Sequence, residues 1–308
     1  MNNKILNVYK YRMAFFAVSI ILILCGVAAM FINGVNVDIQ FKGGAIIKYT
    51  YEGDLDNQQK SDIEKLVSDA IGRLSTVQLS ESAVSKQLVL NLAGNEGLTP
   101  DEEAKILDTI VTAYPENNFE VSETNIVEPS IGKRFLKNGV IALILASVLI
   151  VLYVWWRFKQ ISGLSAGVMA VVALVHDCII VFATFIIFRI PINDIFIAVL
   201  LTIIGYSINN TIVIYDRIRE NAGIASKMTV DALVDLSITQ SMTRSISTTF
   251  TTVASIAIIY VFASINGIQS IINFSLPMAV GMISGFYSSN FIACNLWVMW
   301  QKKKHPSK

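Results

Sequence analysis

The sequence predicts an α-helical polytopic membrane protein with six transmembrane helices and one α+β domain between the first two. Of its 308 residues, 54% are hydrophobic and 15% are charged, whereas a soluble domain has about 25% charged residues. Six apolar stretches are long enough to cross a bilayer, which takes about 20 helical residues. Between positions 34 and 136, in contrast, 17 acidic residues accompany 9 basic ones. This composition argues against a purely soluble enzyme.

The six predicted membrane helices lie near 12–33, 138–156, 161–188, 194–215, 242–264 and 271–300. The first apolar run is longer than the hydrophobic region of a cleaved signal peptide, which has about 7 to 15 residues. Its LILCG string imitates a lipoprotein cleavage site, but Leu24 stands where a small residue is expected before the cysteine. We therefore expect the first segment to be retained as a helix.

Basic residues in alternate loops predict the orientation of these helices. They lie before helix one and after helices two, four and six, at Lys4, Lys10, Arg12, Arg157, Lys159, Arg217, Arg219, Lys227, Lys302, Lys303 and Lys304. Short basic loops stay in the cytoplasm, so both termini are expected there. The predicted division is a cytoplasmic N-terminus and helix one at 1–35, an extracytoplasmic domain at 36–133, helices two to six at 134–300, and a basic cytoplasmic tail at 301–308.

The acidic insert has the pattern of a folded domain. AIIKYTY is typical of a strand, 56–72 has helical periodicity, and TVQLSES and KQLVLNL are typical of two further strands. Thr99 and Pro100 suit the start of a second helix, and NFEVSETNI suits a final strand. The order β-α-β-β-α-β is that of a split ferredoxin-like sandwich. Because the insert is acidic, we expect no nucleic-acid partner.

Helix three carries His176 and Asp177 near its middle. A charge there costs about 2.5 to 3.5 kcal/mol. The pair could form an interhelical hydrogen bond that fixes packing, or it could belong to an ion path or a gate.

Helix four contains a polar stripe in LLTIIGYSINNTIVIYDRIREN. At helical spacing Thr202, Tyr206, Asn209 or Asn210, Val213 and Arg217 share one side. This face is expected to contact other helices rather than lipid. Asp216 and Arg217 fall at the cytoplasmic exit, where a solvated ion pair would contribute little stability.

Helices five and six carry two further patterns. Hydroxyl residues surround Arg244, which we expect at about the depth of Asn210, although Arg244 could also snorkel toward the cytoplasmic surface. The preceding residues 230–238 form an amphipathic face suited to the membrane surface or a partner. In helix six the GMISG string places Gly281 and Gly285 on one face, which permits close helix packing.

Several enzyme classes receive little support. The serine and histidine of a rhomboid-type protease are in the wrong chain order, because His176 precedes Ser207. The sequence has neither a GxGD motif nor a P-loop. Cys25, Cys178 and Cys294 lie in apolar runs, so no disulfide framework, metal site or cofactor is predicted. We expect a protein without enzymatic activity.

The strings LVHD, IGYSINNTIVIYDRIREN and GMISGFYSSNFIA, together with the residues around Arg244 and the IQFKGG string, resemble the SecF proteins of the SecD/SecF family. The resemblance covers nearly the whole chain. It implies a resistance-nodulation-division fold in the cytoplasmic membrane and a role in protein export that is assisted by the proton or sodium gradient. The partners it implies are SecD, the SecYEG translocon, YidC, unfolded exported polypeptide and membrane lipids. The implied ion pathway comprises Asp177, Tyr206, Ser207, Asn209, Asn210 and Arg244, and the implied structural positions are Phe41, Gly43, Gly44, Gly205, Gly281 and Gly285.

Two positions depart from the family pattern. Asn210 stands where the family usually has a membrane aspartate believed to take part in proton passage, and Gln40 replaces an aspartate before FxGG. Because an amide does not titrate, coupling would have to use Asp177 or a carboxylate of SecD, unless this form is uncoupled or the substitution was engineered. Half of a lipid or small-molecule exporter and a non-coupled assembly scaffold remain as alternative functions.

Overall fold

A computed structural model describes residues 5–38, 41, 44–81, 86–93, 98–127, 129–224 and 228–304. Six helical segments in this part of the chain are long and apolar enough to cross a membrane, which confirms the six predicted helices. They are α1 (Arg12–Asn33), α4 (Pro129–Arg157), α5 (Gly163–Ile187), α6 (Asp194–Ile224), α7 (Val230–Ile265), and a last segment formed by α8 (Gln269–Tyr287), a π-helical stretch (Ser288–Ala293) and α9 (Cys294–Lys304).

Three of these helices extend well beyond their predicted ends. α4 begins nine residues before position 138, at Pro129. α6 continues nine residues past position 215, to Ile224, because its charged end forms ion pairs along the helix. Arg219 pairs with Asp216 at 2.7 Å and Arg217 with Glu220 at 2.7 Å, and such i,i+3 pairs support exposed helical turns. The amphipathic residues 230–238 belong to the same continuous helix, α7, as the predicted fifth membrane segment.

The insert between α1 and α4 contains a four-stranded antiparallel sheet and two helices in the predicted order. The elements are β1 (Gly44–Tyr51), α2 (Asn57–Ile71), β2 (Ser75–Glu81), β3 (Lys86–Ala93), α3 (Pro100–Ala113) and β4 (Glu120–Val127), and the sheet order is β2-β3-β1-β4. Both helices begin with a capping box, Asp56 with Gln59 and Thr99 with Glu102, which satisfies backbone donors at the helix start. Sheet and helices enclose a separate apolar core that includes Ile47, Ile63, Leu90 and Ile106.

The segment that leads from α1 into the sheet is attached to the membrane helices. Val37 forms a bridge with Ile192 ahead of α6, and Phe41 is buried in an apolar cluster with residues of α5 and α6. Gly44 begins β1 at φ 146°, a backbone conformation that favours glycine. Gly43 and Gln40 lie outside the described residues.

α5, α6 and α8 form the centre of the helical region. α8 packs against α5, α6 and α7, while α1 and α4 pack against α5. About half of the apolar window of α5 and of α6 is buried, whereas α1, α4 and α7 are mostly exposed. The polar residues on α5, α6 and α8 therefore meet in the interior.

Candidate functional site: a buried carboxylate between three helices

The centre of the helical region contains one fully buried carboxylate, Asp177 on α5. Three serine hydroxyls donate hydrogen bonds to it. Ser207 on α6 donates to Oδ2 at 2.7 Å, Ser284 on α8 to Oδ1 at 2.6 Å, and Ser288 to Oδ2 at 2.7 Å. The carboxylate therefore joins α5 to both α6 and the last membrane segment. We call Asp177, Ser207, Ser284 and Ser288 the Asp177 centre.

Two glycines on α8 allow this approach of the helices. A Cβ atom at Gly281 would lie 2.7 Å from Ile203 Cγ1 and 2.8 Å from Val181 Cγ2. A Cβ atom at Gly285 would lie 3.0 Å from the Cβ of Ser207. The predicted small-residue face is thus the surface along which α8 contacts α5 and α6. It brings Ser284 and Ser288 within hydrogen-bonding distance of Asp177.

His176 adds a second titratable group beside the Asp177 centre. Its Nδ1 atom lies 3.3 Å from Asp177 Oδ1, and the side chain is buried. Its Nε2 atom has no hydrogen-bond partner among the described residues. The ring lies near that of Tyr287, with centroids 6.3 Å apart. His176 and Asp177 are therefore in contact, and the hydrogen bonds to other helices are made by Asp177.

The predicted site residues on α6 point in two directions. Ser207 and Asn210 are buried, whereas Asn209 and Gly205 are exposed in this chain. The Asn210 Nδ2 atom has no hydrogen-bond partner in the described part of the chain. The stripe that includes Thr202 and Asn209 was predicted to contact other helices, and the structure leaves both residues uncovered.

Tyr206 fixes the alignment of α6 with α7. Its hydroxyl donates to Thr249 Oγ1 at 2.8 Å, and Arg217 donates to Gln240 at 2.7 Å farther along the same pair of antiparallel helices. These two contacts place Arg244 opposite about residue 212, which is roughly 3 Å along α6 from Asn210. Arg244 is exposed, and the structure gives no hydrogen bond between it and Asn210 in the described residues. The two residues share a similar depth on different faces.

Asp216 and Arg217 do not form the predicted ion pair with each other. Asp216 accepts from Arg157 at 3.2 Å and Arg219 at 2.7 Å, and Arg217 pairs with Glu220 at 2.7 Å. Neighbouring residues of a helix point in different directions, so an i,i+1 pair is geometrically unfavourable. Both residues remain at one end of the bundle, beside the amphipathic start of α7.

Neither Ser284 nor Ser288 was predicted to contact Asp177. The available signal was the i,i+4 spacing of two serines in an apolar helix, next to Gly281 and Gly285 on the same segment. Serine often bonds to its own helix backbone, so this spacing did not identify Asp177 as the acceptor.

The Asp177 centre joins three helical segments through one carboxylate. Its two oxygens accept hydrogen bonds from three serine hydroxyls, and the His176 Nδ1 atom lies beside Oδ1. The described residues contain no cluster of three His, Cys, Asp or Glu side chains that could hold a metal ion. The hydrogen bonds at Asp177 therefore depend on the relative positions of α5, α6 and the last membrane segment.

Comparison with known proteins agrees with this architecture. A family model described as "Protein export membrane protein SecD/SecF, C-terminal" matches residues 106–303. The protein translocase subunit SecF of Helicobacter pylori strain J99 is 34% identical over 290 residues, which cover 94% of this chain and 85% of that protein. The protein translocase subunit SecDF of Bacillus subtilis is 32% identical over 297 residues, covering 95% of this chain and 38% of that protein.

A solved structure gives the same result. The crystal structure of SecDF from Thermus thermophilus, described as a translocon-associated membrane protein, matches with a TM-score of 0.77 and 26% identity, covering 97% of this chain and 39% of that one. This chain thus spans about two fifths of the SecDF proteins and most of the SecF proteins. It belongs to the SecD/SecF family of protein export membrane proteins.

Proposed function

We propose that this chain is the SecF-type subunit of a complex with SecD that assists the Sec translocon in protein export, and that the transmembrane ion gradient drives it. The family supports the export role. The SecDF relatives support SecD as the partner. This chain matches only 38% of the Bacillus subtilis SecDF protein, so the rest of that chain would correspond to SecD. Of the predicted site residues, Asn209 and Arg244 are exposed and would lie at the junction between the two subunits, whereas Asp177 and Ser207 are buried within this chain.

The observation that carries the proposal is an uncovered polar and apolar face on α6, α7 and α8. Asn209 and Arg244 are exposed on it, and Phe250 and Ile283 line an adjoining apolar groove of about 320 Å³. No carboxylate in the described residues pairs with Arg244. Exposing a guanidinium to lipid is costly, so such residues face a bundle interior. A second six-helix half would cover this face, as in transporters built from two repeats.

The Asp177 centre is the proposed ion-responsive element of this chain. One elementary charge crossing 100 mV supplies about 2.3 kcal/mol. An interhelical hydrogen bond in a membrane protein contributes on average about 0.6 kcal/mol and at most about 1.7 kcal/mol. One proton can therefore supply enough free energy to exchange at least one of the three hydrogen bonds at Asp177. That exchange would shift α8 relative to α5 and α6.

The α+β domain is proposed to be an extracytoplasmic ferredoxin-like sandwich that contacts the exported polypeptide. β2 and β4 are the edge strands of the sheet, and an edge can pair with an extended chain through backbone hydrogen bonds. Titrating an unfolded preprotein into a soluble fragment of residues 36–133 tests this role. Weak binding is expected, and no binding at high concentration would leave the domain as a mechanical spacer.

The experiment for the coupling role uses inverted vesicles that contain this chain with SecD and the translocon. Asn210→Asp should increase gradient-dependent export, because it adds a titratable carboxylate at about the depth of Arg244. Since Asn210 is buried and Arg244 is exposed, their ion pair requires α6 to rotate, and protonation would break it. Arg244→Met should abolish that gain and alter the asparagine form much less. Asn209→Asp adds the same charge one residue away, on the exposed face that also carries Arg244. An equal gain there would mean that any carboxylate near Arg244 is sufficient and that position 210 has no special role.

The outcomes separate two parts of the proposal. If both forms at position 210 export equally and respond identically to collapse of the gradient, position 210 is only a packing site and Asp177 or SecD carries the coupling. If this chain neither co-purifies with SecD nor gains thermal stability from its co-expression, the SecF role itself is wrong.

A further inference from the structure

A cavity with two lysines in a mainly apolar wall lies at one end of the bundle, away from the Asp177 centre. It has a volume of about 370 Å³ and opens where the end of α4, the start of α5 and the end of α9 meet. Two lysines and two tryptophans line it, Lys159, Lys304, Trp155 and Trp300. None of these residues has a part in the proposed coupling.

The charge of this cavity is positive and uncompensated. Lys159 and Lys304 have no ion pair within the described residues, whereas the neighbouring Lys302 pairs with Asp231 at 3.0 Å. The start of α5 also opens into the cavity, with Ser162 at the N-cap and no side-chain cap or acidic residue in the first turn. The positive end of a 25-residue helix therefore adds to the two ammonium groups.

The remainder of the cavity wall is apolar and suits a lipid tail. Leu164 and Val168 line it and are 56% and 42% exposed. Trp155 and Trp300 are about half exposed, and tryptophan is enriched where a bilayer meets water. A ligand for this wall needs an anionic group for the lysines and a hydrocarbon part for the helix surface. A free phosphate ion has only the first.

We propose that this cavity binds an anionic phospholipid, with the headgroup phosphate between Lys159 and Lys304 and an acyl chain along Leu164 and Val168. Basic pockets between membrane helices bind acidic headgroups in this way. The inference depends only on the chain being a membrane protein. It is independent of the coupling proposed above.

The test uses the full-length chain in neutral detergent micelles and brominated phosphatidylglycerol, which quenches the fluorescence of nearby tryptophans. Brominated phosphatidylcholine provides the zwitterionic comparison, and inorganic phosphate is added as a competitor. The variant Lys159→Gln/Lys304→Gln removes both ammonium groups. The matched control Lys10→Gln/Lys303→Gln removes two exposed lysines from the same end of the bundle without touching the cavity.

Phosphatidylglycerol should quench at lower mole fractions than phosphatidylcholine. A lysine near an anionic surface contributes about fivefold in affinity, so the cavity variant should bind roughly 30-fold more weakly. The control should stay within about twofold. Because all four lysines are exposed, both variants should keep the wild-type elution volume and melting temperature.

Three results would overturn the proposal. Equal weakening by the cavity variant and the control would mean general surface attraction. Equal quenching by the two lipids would mean that the headgroup is not recognised. Displacement of the brominated lipid by inorganic phosphate would identify a free anion as the ligand.

Discussion

Removing one hydroxyl donor at the Asp177 centre should lower the free energy of unfolding only while the Asp177 carboxylate is present. Ser284→Ala removes the hydroxyl that donates to Asp177 Oδ1 at 2.6 Å and leaves a methyl group in its place. In the Asp177→Ala background the acceptor is already missing. The same serine substitution should then have almost no effect.

The size of the effect follows from the contacts. One interhelical hydrogen bond in a membrane protein contributes on average about 0.6 kcal/mol and at most about 1.7 kcal/mol. Ser284 is buried, and it donates to a carboxylate, which makes stronger hydrogen bonds than a neutral acceptor. We expect Ser284→Ala to lower the free energy of unfolding by about 1 to 1.7 kcal/mol. The coupling energy to Asp177→Ala should have the same size, since the two side chains interact directly.

Reversible unfolding of the full chain in mixed micelles, followed by circular dichroism, measures these energies. Ser255→Ala is the matched control, because the Ser255 hydroxyl is exposed and donates only to Thr251 of its own helix at 2.9 Å. Its effect should be close to zero in both backgrounds. A coupling energy near zero between Ser284 and Asp177, or equal effects of the two serine substitutions, would refute the assignment of Asp177 as a junction between helices.

Three other predictions address packing, topology and pH. Gly281→Ala should destabilise the chain by about 1 to 3 kcal/mol through overpacking, whereas Gly205→Ala, which has nothing within 4 Å, should be neutral or stabilising in the isolated chain; thermal unfolding distinguishes them. Cysteine reporters at Ser122 and Lys303, in a background without native cysteines, should be labelled from outside and from the cytoplasm respectively, and the reverse pattern would contradict the orientation. The hydrogen bond from Lys48 lowers the pKa of the exposed Glu123 carboxyl, so its stabilisation is complete above the ordinary pKa of 4.5 and is lost as the pH falls through the lowered value. In the Glu123→Gln variant, the free energy of unfolding should therefore fall less steeply as the pH is lowered below 4.5. An unchanged pH dependence would show that the Lys48–Glu123 pair does not stabilise the domain.

The helices and the α+β domain could be predicted because their signals are local. A span of apolar residues is enough to identify a membrane helix, and the capping residues Thr99 and Pro100 marked the start of α3 correctly. The predicted end of a helix was less accurate where ion pairs along the helix extend it beyond its apolar stretch. Glu220 and Arg217 continue α6 after its apolar stretch has ended.

The partners of Asp177 could not be predicted in the same way, because they depend on how α8 rotates against α5. Serine gives no signal of its own about which acceptor it uses. The family resemblance placed Ser207 and Asp177 in one implied ion pathway, and in the structure Ser207 donates to Asp177 at 2.7 Å. The sequence did not predict that Asn210 would be buried while Arg244 is exposed. Polar residues occur on adjacent faces of these helices, so composition does not show which face packs against another helix.

Helix α6 connects the Asp177 centre with the uncovered face. Tyr206 and Ser207 are consecutive residues, yet Tyr206 donates to Thr249 on α7 and Ser207 donates to Asp177 on α5. A rigid rotation of α6 must therefore strain both contacts together. We infer that a change at Asp177 is transmitted to the face proposed for SecD, even though Asn210 on the same helix does not titrate. The vesicle experiment tests this inference, because an Asn210 form that still responds to the gradient requires a route through Asp177 or through the partner.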